Sequence, residues 1–179
     1  VRGGGCDRTA NILFMEDLMN KKIEMSKTKK VTISAIIMAV YVVVMMITQG
    51  IAFGFLQIRV ATAIYSTAYL FPFLILPLGL SNSISNMLLG GMGIFDTVGG
   101  FVVGVITSSL IYLIRRCRLP VYLIAIPIIA GPGLIVPIWL SKILGVPYWT
   151  LAASVCAGQI VPGILGVVLV KVLENKAGE

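Results

Sequence analysis

The stretch VTISAIIMAVYVVVMMITQ, residues 31–49, contains no acidic or basic residue and decides the fold class of this chain. A helix of this length covers about 28 Å, close to the ~30 Å of a bilayer's hydrocarbon core. An excess of basic residues marks the cytoplasmic side of a membrane span. We therefore predict a first transmembrane span with a cytoplasmic N-terminus, because five lysines precede it: Lys21, Lys22, Lys27, Lys29 and Lys30.

The composition of the whole chain agrees with a membrane location. Of its 179 residues, 58% are hydrophobic and 12% are charged, and its mean hydropathy is +1.02. These values lie outside the range of soluble domains. The net charge of +7 does not indicate nucleic-acid binding, because the basic residues stand at the edges of apolar segments without interleaved aromatic residues. We predict one membrane domain and no nucleic-acid partner.

Several classes of enzyme and metal site are incompatible with the sequence. The chain has no histidine, which removes Ser-His-Asp and Cys-His arrangements and imidazole metal sites. Its cysteines, Cys6, Cys117 and Cys156, have no C-x-x-C spacing. The glycine-rich residues 90–93 lack the Lys-Ser/Thr ending of a phosphate loop. We predict no catalytic activity, metal or cofactor, so that any energy from ATP must come through a partner.

Further apolar segments extend through residues 60–92, 94–114, 121–140 and 148–170. The first exceeds one span, and Pro72, Pro77 and Gly79 stand near its middle. We interpret it as two helices that meet at a cytoplasmic turn. The alternative is one long kinked span.

The basic residues decide between these alternatives. Six spans place all 14 basic residues on the inside except Arg59 and Lys142, whereas five would move Arg115, Arg116 and Arg118 outside. We predict an all-α protein of the cell membrane, with six transmembrane helices and both termini in the cytoplasm. The membrane domain is predicted at residues 31–174, with a polar leader at 1–30 and a tail at 175–179.

The first ~25 residues do not resemble a secretory signal, because charges at positions 7, 8, 16 and 17 interrupt the apolar stretch that such a signal needs. We expect them to form no part of the fold. Later methionines at positions 15, 19 and 25 suggest a start codon assigned too far upstream.

Polar side chains gather near the outer ends of the predicted spans, around outer loops at residues 50–58, 90–95 and 141–147. A polar group at membrane depth is costly unless it faces a protein interior or a wet cavity. We therefore predict an outward-facing site for a small solute. Its candidate residues are Gln57, Arg59, Asn86, Asp96, Tyr148, Trp149 and Gln159.

Asp96 is the most distinctive of these residues, because it is the only acid between Glu24 and Glu174. One interpretation is a first-turn acid that the helix dipole favours, paired with Arg59 or Lys142. The other is a carboxylate that accepts hydrogen bonds from a ligand.

The other candidates also have structural interpretations. Arg59 could anchor the chain at the lipid headgroups. Gln159 could bond a backbone carbonyl that Pro162 leaves without a donor. Trp139, Tyr148 and Trp149 could belong to an aromatic belt, or a ring among them could stack on a planar ligand. Asn86 ends a polar stretch, residues 81–86, that either packs inside the bundle or lines a cavity.

Two pairs of small residues, each four residues apart, lie on single helix faces and could mediate helix packing: Ala35 with Ala39, and Gly100 with Gly104.

Three sequence motifs resemble the QueT family, the substrate-binding S components of energy-coupling factor (ECF) transporters. They are Gln57-Ile58-Arg59-Val60-Ala61, Ser85-Asn86-Met87-Leu88, and Gly93-Ile94-Phe95-Asp96 followed by Gly99 and Gly104. The similarity covers about residues 31–173.

This resemblance implies a six-helix S component that captures its solute from outside and associates with a coupling transmembrane protein and two ATPase subunits. Ala35 and Ala39 match the docking face that such proteins carry on their first helix. The solutes of the family are queuosine precursors, 7-deazaguanine bases.

One difference from the family pattern bears on the solute. Thr62 stands where a carboxylate often follows the arginine motif, which leaves Asp96 as the acid of the outer half. The alternatives are an S component for another small vitamin or heterocycle, and a small membrane assembly factor or enzyme.

Overall fold

The computed structural model describes residues 25–52, 56–90 and 93–178, and the predicted leader before residue 25 lies outside them. All secondary structure in the described ranges is helical. The α-helices are α1 (Lys27–Ile47), α2 (Gln49–Ala52), α3 (Ile75–Ser85), α4 (Ile94–Arg116), α5 (Ala125–Ile135), α6 (Pro137–Leu144) and α7 (Tyr148–Gly178). There are 3₁₀ helices at Val60–Tyr69, Pro72–Leu74 and Val121–Ile124, and a π helix at Asn86–Gly90.

Five described helical segments are long and apolar enough to cross a membrane: Lys27–Ile47, Pro72–Gly90, Ile94–Arg116, Val121–Leu144 and Tyr148–Lys176. Many of their large apolar side chains are exposed, as expected where lipid is the solvent. The predicted all-α, multi-pass membrane fold is therefore confirmed. The count of six spans and the location of the termini stay predictions.

The first span begins earlier than the sequence indicated. The structure starts α1 at Lys27, four residues before the predicted start of the membrane domain. Ser26 stands directly before the helix, and its hydroxyl accepts a hydrogen bond from the Lys29 N–H at 3.4 Å. Serine at this position satisfies a backbone donor that the first turn otherwise leaves unpaired, so the chain can become helical before its apolar stretch begins.

The segment Val60–Tyr69 is a 3₁₀ helix of 10 residues, longer than most helices of this type. A 3₁₀ helix rises about 2.0 Å per residue and an α-helix 1.5 Å, so this segment covers about 20 Å instead of 15 Å. The tighter winding therefore lets a short segment reach further across the bundle.

The hydrogen bonds at the ends of this 3₁₀ helix show which way it runs. At its start, Arg59 bonds Asn86, which follows α3. At its end, Arg115 from the last turn of α4 donates to the backbone oxygens of Tyr69, at 2.7 Å, and Leu70, at 3.0 Å. The 3₁₀ helix therefore runs antiparallel to α3, with the reversal near Leu70. This arrangement favours the interpretation of residues 60–92 as two helices.

Helices α3 and α4 form a close pair because glycines remove side chains from their contact. A Cβ on Gly104 would lie 2.7 Å from the Cα of Gly79, and a Cβ on Gly100 would lie 2.5 Å from the Nδ2 of Asn86. Neither distance leaves room for a methyl group. Gly100 and Gly104 thus serve packing within the chain.

Helix α1 contacts the 3₁₀ helix through two fully buried tyrosines. The hydroxyls of Tyr41 and Tyr65 lie 3.1 Å apart, and their rings stack with centroids 5.6 Å apart. Each phenol thereby has a hydrogen-bond partner away from water.

Pro137 interrupts the hydrogen bonding between α5 and α6, because proline has no N–H to donate. Val136 and Leu140 pack with Val103 of α4 in a buried apolar cluster, and Trp139 packs against that cluster. Trp139 therefore lies against α4.

Candidate solute site

Arg59 is the centre of a buried polar group. Only 4% of its surface is exposed. Its Nη1 donates to the Oδ1 of Asn86 at 3.0 Å and to the Oδ1 of Asn82 at 3.3 Å. The two asparagines are four residues apart and share one helix face. Because the guanidinium is held inside the protein, the alternative of an anchor at the lipid headgroups is wrong.

The orientation of both asparagine amides is fixed from the other side by α4. The Nδ2 of Asn82 donates to the backbone oxygen of Gly100 at 2.8 Å, and the Nδ2 of Asn86 donates to that of Asp96 at 2.9 Å. Because each Nδ2 donates to α4, each Oδ1 is oriented towards Arg59. Asn82 was not among the predicted site residues, and its spacing from Asn86 was the available signal.

The serines of the same polar stretch have a different role. Ser81 donates to the backbone oxygen of Pro77 at 2.7 Å, and Ser85 donates to that of Ser81 at 2.8 Å. Their hydroxyls are therefore satisfied within their own helix, and only the asparagines of this stretch reach Arg59.

Asp96 lies in the first turn of α4 with 3% of its surface exposed. The residue that precedes the helix, Gly93, has no side chain with which to cap it. The backbone oxygen of Asp96 accepts a hydrogen bond from the Nδ2 of Asn86 at 2.9 Å. The carboxylate in this buried first turn is a candidate acceptor of hydrogen bonds from a ligand.

Gln57 has a strained backbone and an open acceptor. Its φ of 45° lies in the left-handed region, which costs a residue other than glycine on the order of 1–3 kcal/mol. Its side chain is 93% buried, since 7% remains exposed, and its Oε1 has no donor among the described residues. Strain and an open acceptor beside Arg59 are typical of a site that is shaped before its ligand arrives.

Helix α7 holds this strained loop in place. The Nε2 of Gln159 donates to the backbone oxygen of Gln57 at 3.1 Å. The adjacent Gly158 lies directly against the backbone oxygen of Leu56, in space that a Cβ would need. Gln159 therefore bonds the loop, and the alternative in which it satisfies a carbonyl that Pro162 leaves in its own helix is wrong.

Thr62 completes this attachment. Its Oγ1 lies 2.7 Å from the Oε1 of Gln159 and 2.7 Å from the backbone oxygen of Arg59. A threonine hydroxyl has one proton, which these two acceptors share. The residue that departs from the QueT pattern thus has a structural role in this chain.

Trp139 contacts the turn of α4 that follows Asp96. The sequence suggested an aromatic belt or a ring stacked on a ligand for this residue, and it was not among the candidate site residues. A Cβ on Gly99 would lie 2.6 Å from the indole ring, so the ring lies directly on the α4 backbone. Gly99 is three residues from Asp96 and shares its helix face. The glycine pair at 99 and 100, one turn after Asp96, was the available signal.

The structure does not bring the two predicted aromatic residues to the Arg59 group through any described contact. The Tyr148 hydroxyl donates to the backbone oxygen of Leu134 at 2.9 Å, and Trp149 is 76% exposed. Their rings meet edge to face with centroids 5.0 Å apart. A role for Tyr148 and Trp149 in the site stays a prediction.

A cavity of about 510 Å³ lies elsewhere, between α4 and α5 and towards the Arg115 end of α4. The side chains that line it are apolar apart from one thiol, and they include Ile106, Leu110, Leu113, Cys117, Leu123 and Leu134. It is suited to acyl chains and not to a polar solute. Among the described residues, no three His, Cys, Asp or Glu side chains come together to hold a metal ion.

Comparison with known proteins gives one match. A family model described as QueT transporter matches residues 31–175. This range contains every candidate site residue and nearly all of the described helices. No curated protein and no solved structure matches the chain.

Proposed function

Since this chain belongs to the QueT transporter family, a family of transporters and not of enzymes, we propose that it is the solute-binding S component of an ECF importer. Its solute is a queuosine precursor, a 7-deazaguanine base, taken up across the cell membrane. A coupling transmembrane protein and two ATPase subunits supply the energy, since the sequence contains no phosphate loop.

The observation that carries this proposal is the position of Asp96, the only acid between Glu24 and Glu174, which lies in the first turn of α4 with 3% of its surface exposed. A guanine-like base presents an N1–H and a 2-amino group side by side, and the two oxygens of a carboxylate can accept from both. The pairing would compensate the cost of burying the charge.

Arg59 and Gln57 support the same assignment. One asparagine amide joins Arg59 to the Asp96 backbone, so the positive charge is linked to the turn of α4 that carries the carboxylate. Gln57 adds a second buried acceptor. Together these groups suit a planar solute with several N–H donors.

The first membrane helix supports association with a coupling protein. Ala35 and Ala39 are both exposed and lie on one face of α1. Small residues let two helix backbones approach closely, which stabilises helix pairs in a membrane. This face is where we expect the coupling protein to dock.

The experiment is a calorimetric titration of the purified protein with 7-aminomethyl-7-deazaguanine, comparing wild type with Asp96→Asn at matched thermal stability. Asparagine presents a donor where the carboxylate accepts, so we expect binding to weaken about 10-fold or more. Equal affinity would remove Asp96 from the site. No binding by wild type would remove the queuosine-precursor assignment and leave the family membership unaffected.

A second solute class is favoured by Thr62, which stands where the family pattern often has a carboxylate. Under this alternative the chain is an S component for another small vitamin or heterocycle. Mass spectrometry of the small molecule that the protein retains after mild detergent purification would distinguish the two classes.

A further inference from the structure

The turn of α4 that follows Asp96 contacts two different side chains, those of Asn86 and Trp139. The missing side chain of Gly100 leaves space for Asn86, whose amide connects to Arg59. The missing side chain of Gly99 leaves space for the indole of Trp139. Gly99 and Gly100 are three and four residues after Asp96, so Trp139 and Asn86 both contact the helix face that carries the carboxylate.

The indole N–H of Trp139 is buried and has no acceptor among the described residues. A buried N–H without a partner is costly, and tryptophan is normally placed where this group finds a partner. The surrounding cluster of Val103, Val136 and Leu140 is apolar and provides no acceptor. The donor therefore needs an acceptor from outside the described residues.

We infer that Trp139 is a specificity-determining residue of the solute site, whose indole N–H donates to an acceptor atom of a planar heterocyclic solute. This inference rests on the proposed function, because it assumes a solute bound at Asp96. Asp96 and Gln57 are acceptors that select N–H groups on the solute. Trp139 adds the opposite requirement, a lone pair at a fixed position, and so rejects heterocycles that carry donors only.

The other tryptophan of the chain can be replaced so that Trp139 is measured alone. Trp149 is 76% exposed, and its ring contacts Tyr148 at the start of α7. The sequence contains two tryptophans in all, so Trp149→Phe leaves Trp139 as the single indole. The fluorescence of that variant reports on Trp139 alone.

The first measurement is the tryptophan emission of each single-tryptophan protein during titration with 7-aminomethyl-7-deazaguanine. We expect the emission of the Trp149→Phe protein to change with solute and to saturate at the dissociation constant found by calorimetry. The Trp139→Phe protein retains only Trp149, and its emission tests the separate prediction that Trp149 belongs to the site. Unchanged emission from Trp149→Phe at saturating solute would overturn the inference.

The second measurement is the affinity of Trp139→Phe and of a control variant by calorimetry. Phenylalanine keeps an aromatic ring against Gly99 but removes the donor, so Trp139→Phe should bind roughly threefold to tenfold more weakly. Tyr122→Phe, at an exposed position outside the candidate site, should bind like wild type. Affinity of Trp139→Phe within twofold of wild type would contradict the inference while the proposed function stands.

Two other outcomes also have a defined interpretation. If Trp139→Phe does not fold, the emission of the Trp149→Phe protein decides the inference alone. If wild type binds no solute by calorimetry, the proposed solute is wrong, and the inference fails with it.

Discussion

The Nη1 of Arg59 lies 3.0 Å from the Oδ1 of Asn86, and the Nδ2 of the same asparagine lies 2.9 Å from the backbone oxygen of Asp96. One neutral amide therefore joins the segment that carries the basic candidate to the helix that carries the acidic one. This bridge links Arg59 to the helix turn that carries Asp96.

The bridge predicts a stability effect. Asn86→Ala removes an acceptor from the buried Arg59, so we expect the free energy of unfolding to fall by about 1–3 kcal/mol. Thermal unfolding in detergent, followed by circular dichroism, measures it. Ser83→Ala is the control, because Ser83 lies in the adjoining helix α3, three residues from Asn86, and is only partly buried. Equal stability of the two variants would show that the bridge contributes nothing.

The contact between Gly158 and the backbone of Leu56 predicts a binding effect. A methyl group on Gly158 would push the loop away from α7 and break the hydrogen bond from Gln159 to Gln57. We expect Gly158→Ala to weaken solute binding about 10-fold or more, because the strained loop loses its support. Calorimetry provides the measurement.

The matched control for this variant is Gly50→Ala, since a Cβ on Gly50 meets nothing within 4 Å. We expect wild-type affinity from it. If Gly158→Ala also binds the solute normally, the support of the loop by α7 has no part in recognition.

The exposed face of α1 predicts an effect on assembly that is separate from binding. The double variant Ala35→Leu with Ala39→Leu should keep solute affinity and lose co-purification with the coupling complex, because bulky side chains prevent close helix contact. Pull-down from membranes together with uptake assays would measure this.

Helix α7 provides a matched control for assembly. Ala153 and Ala157 are also exposed and four residues apart. Leucine at both of these positions should leave assembly intact. If the α7 double variant loses the coupling complex and the α1 double variant keeps it, the docking face lies on α7.

The number of spans predicts which thiols are accessible from outside the cell. Cys117 is exposed after α4, and Lys142 is exposed at the end of α6. In a Cys6→Ser, Cys156→Ala background, a membrane-impermeant maleimide should label Lys142→Cys from outside. Native Cys117 should react only after permeabilisation. Labelling of Cys117 in intact cells would require an odd number of spans before it and would contradict the six-helix prediction.

The sequence by itself determined the class of fold, because a bilayer imposes its demand on each segment separately. A run such as residues 31–49 must form a helix in hydrocarbon, where every backbone polar group needs an internal partner. The same cost makes Arg59, Asn86 and Asp96 conspicuous within apolar segments, so the main polar residues of the candidate site could be found without a structure.

Only the tertiary structure decided which partners these residues have. Residues 60–69 form a 3₁₀ helix, and hydrogen bonds of Arg59 and Arg115 hold its two ends. The local sequence does not specify these partners. Gln159 bonds a loop residue 102 positions away. Trp139 lies against the turn of α4 that follows Asp96, because Gly99 leaves space for its indole there. Such contacts depend on which helix faces pack together, and the alternation of polar and apolar residues along one helix does not specify its neighbour.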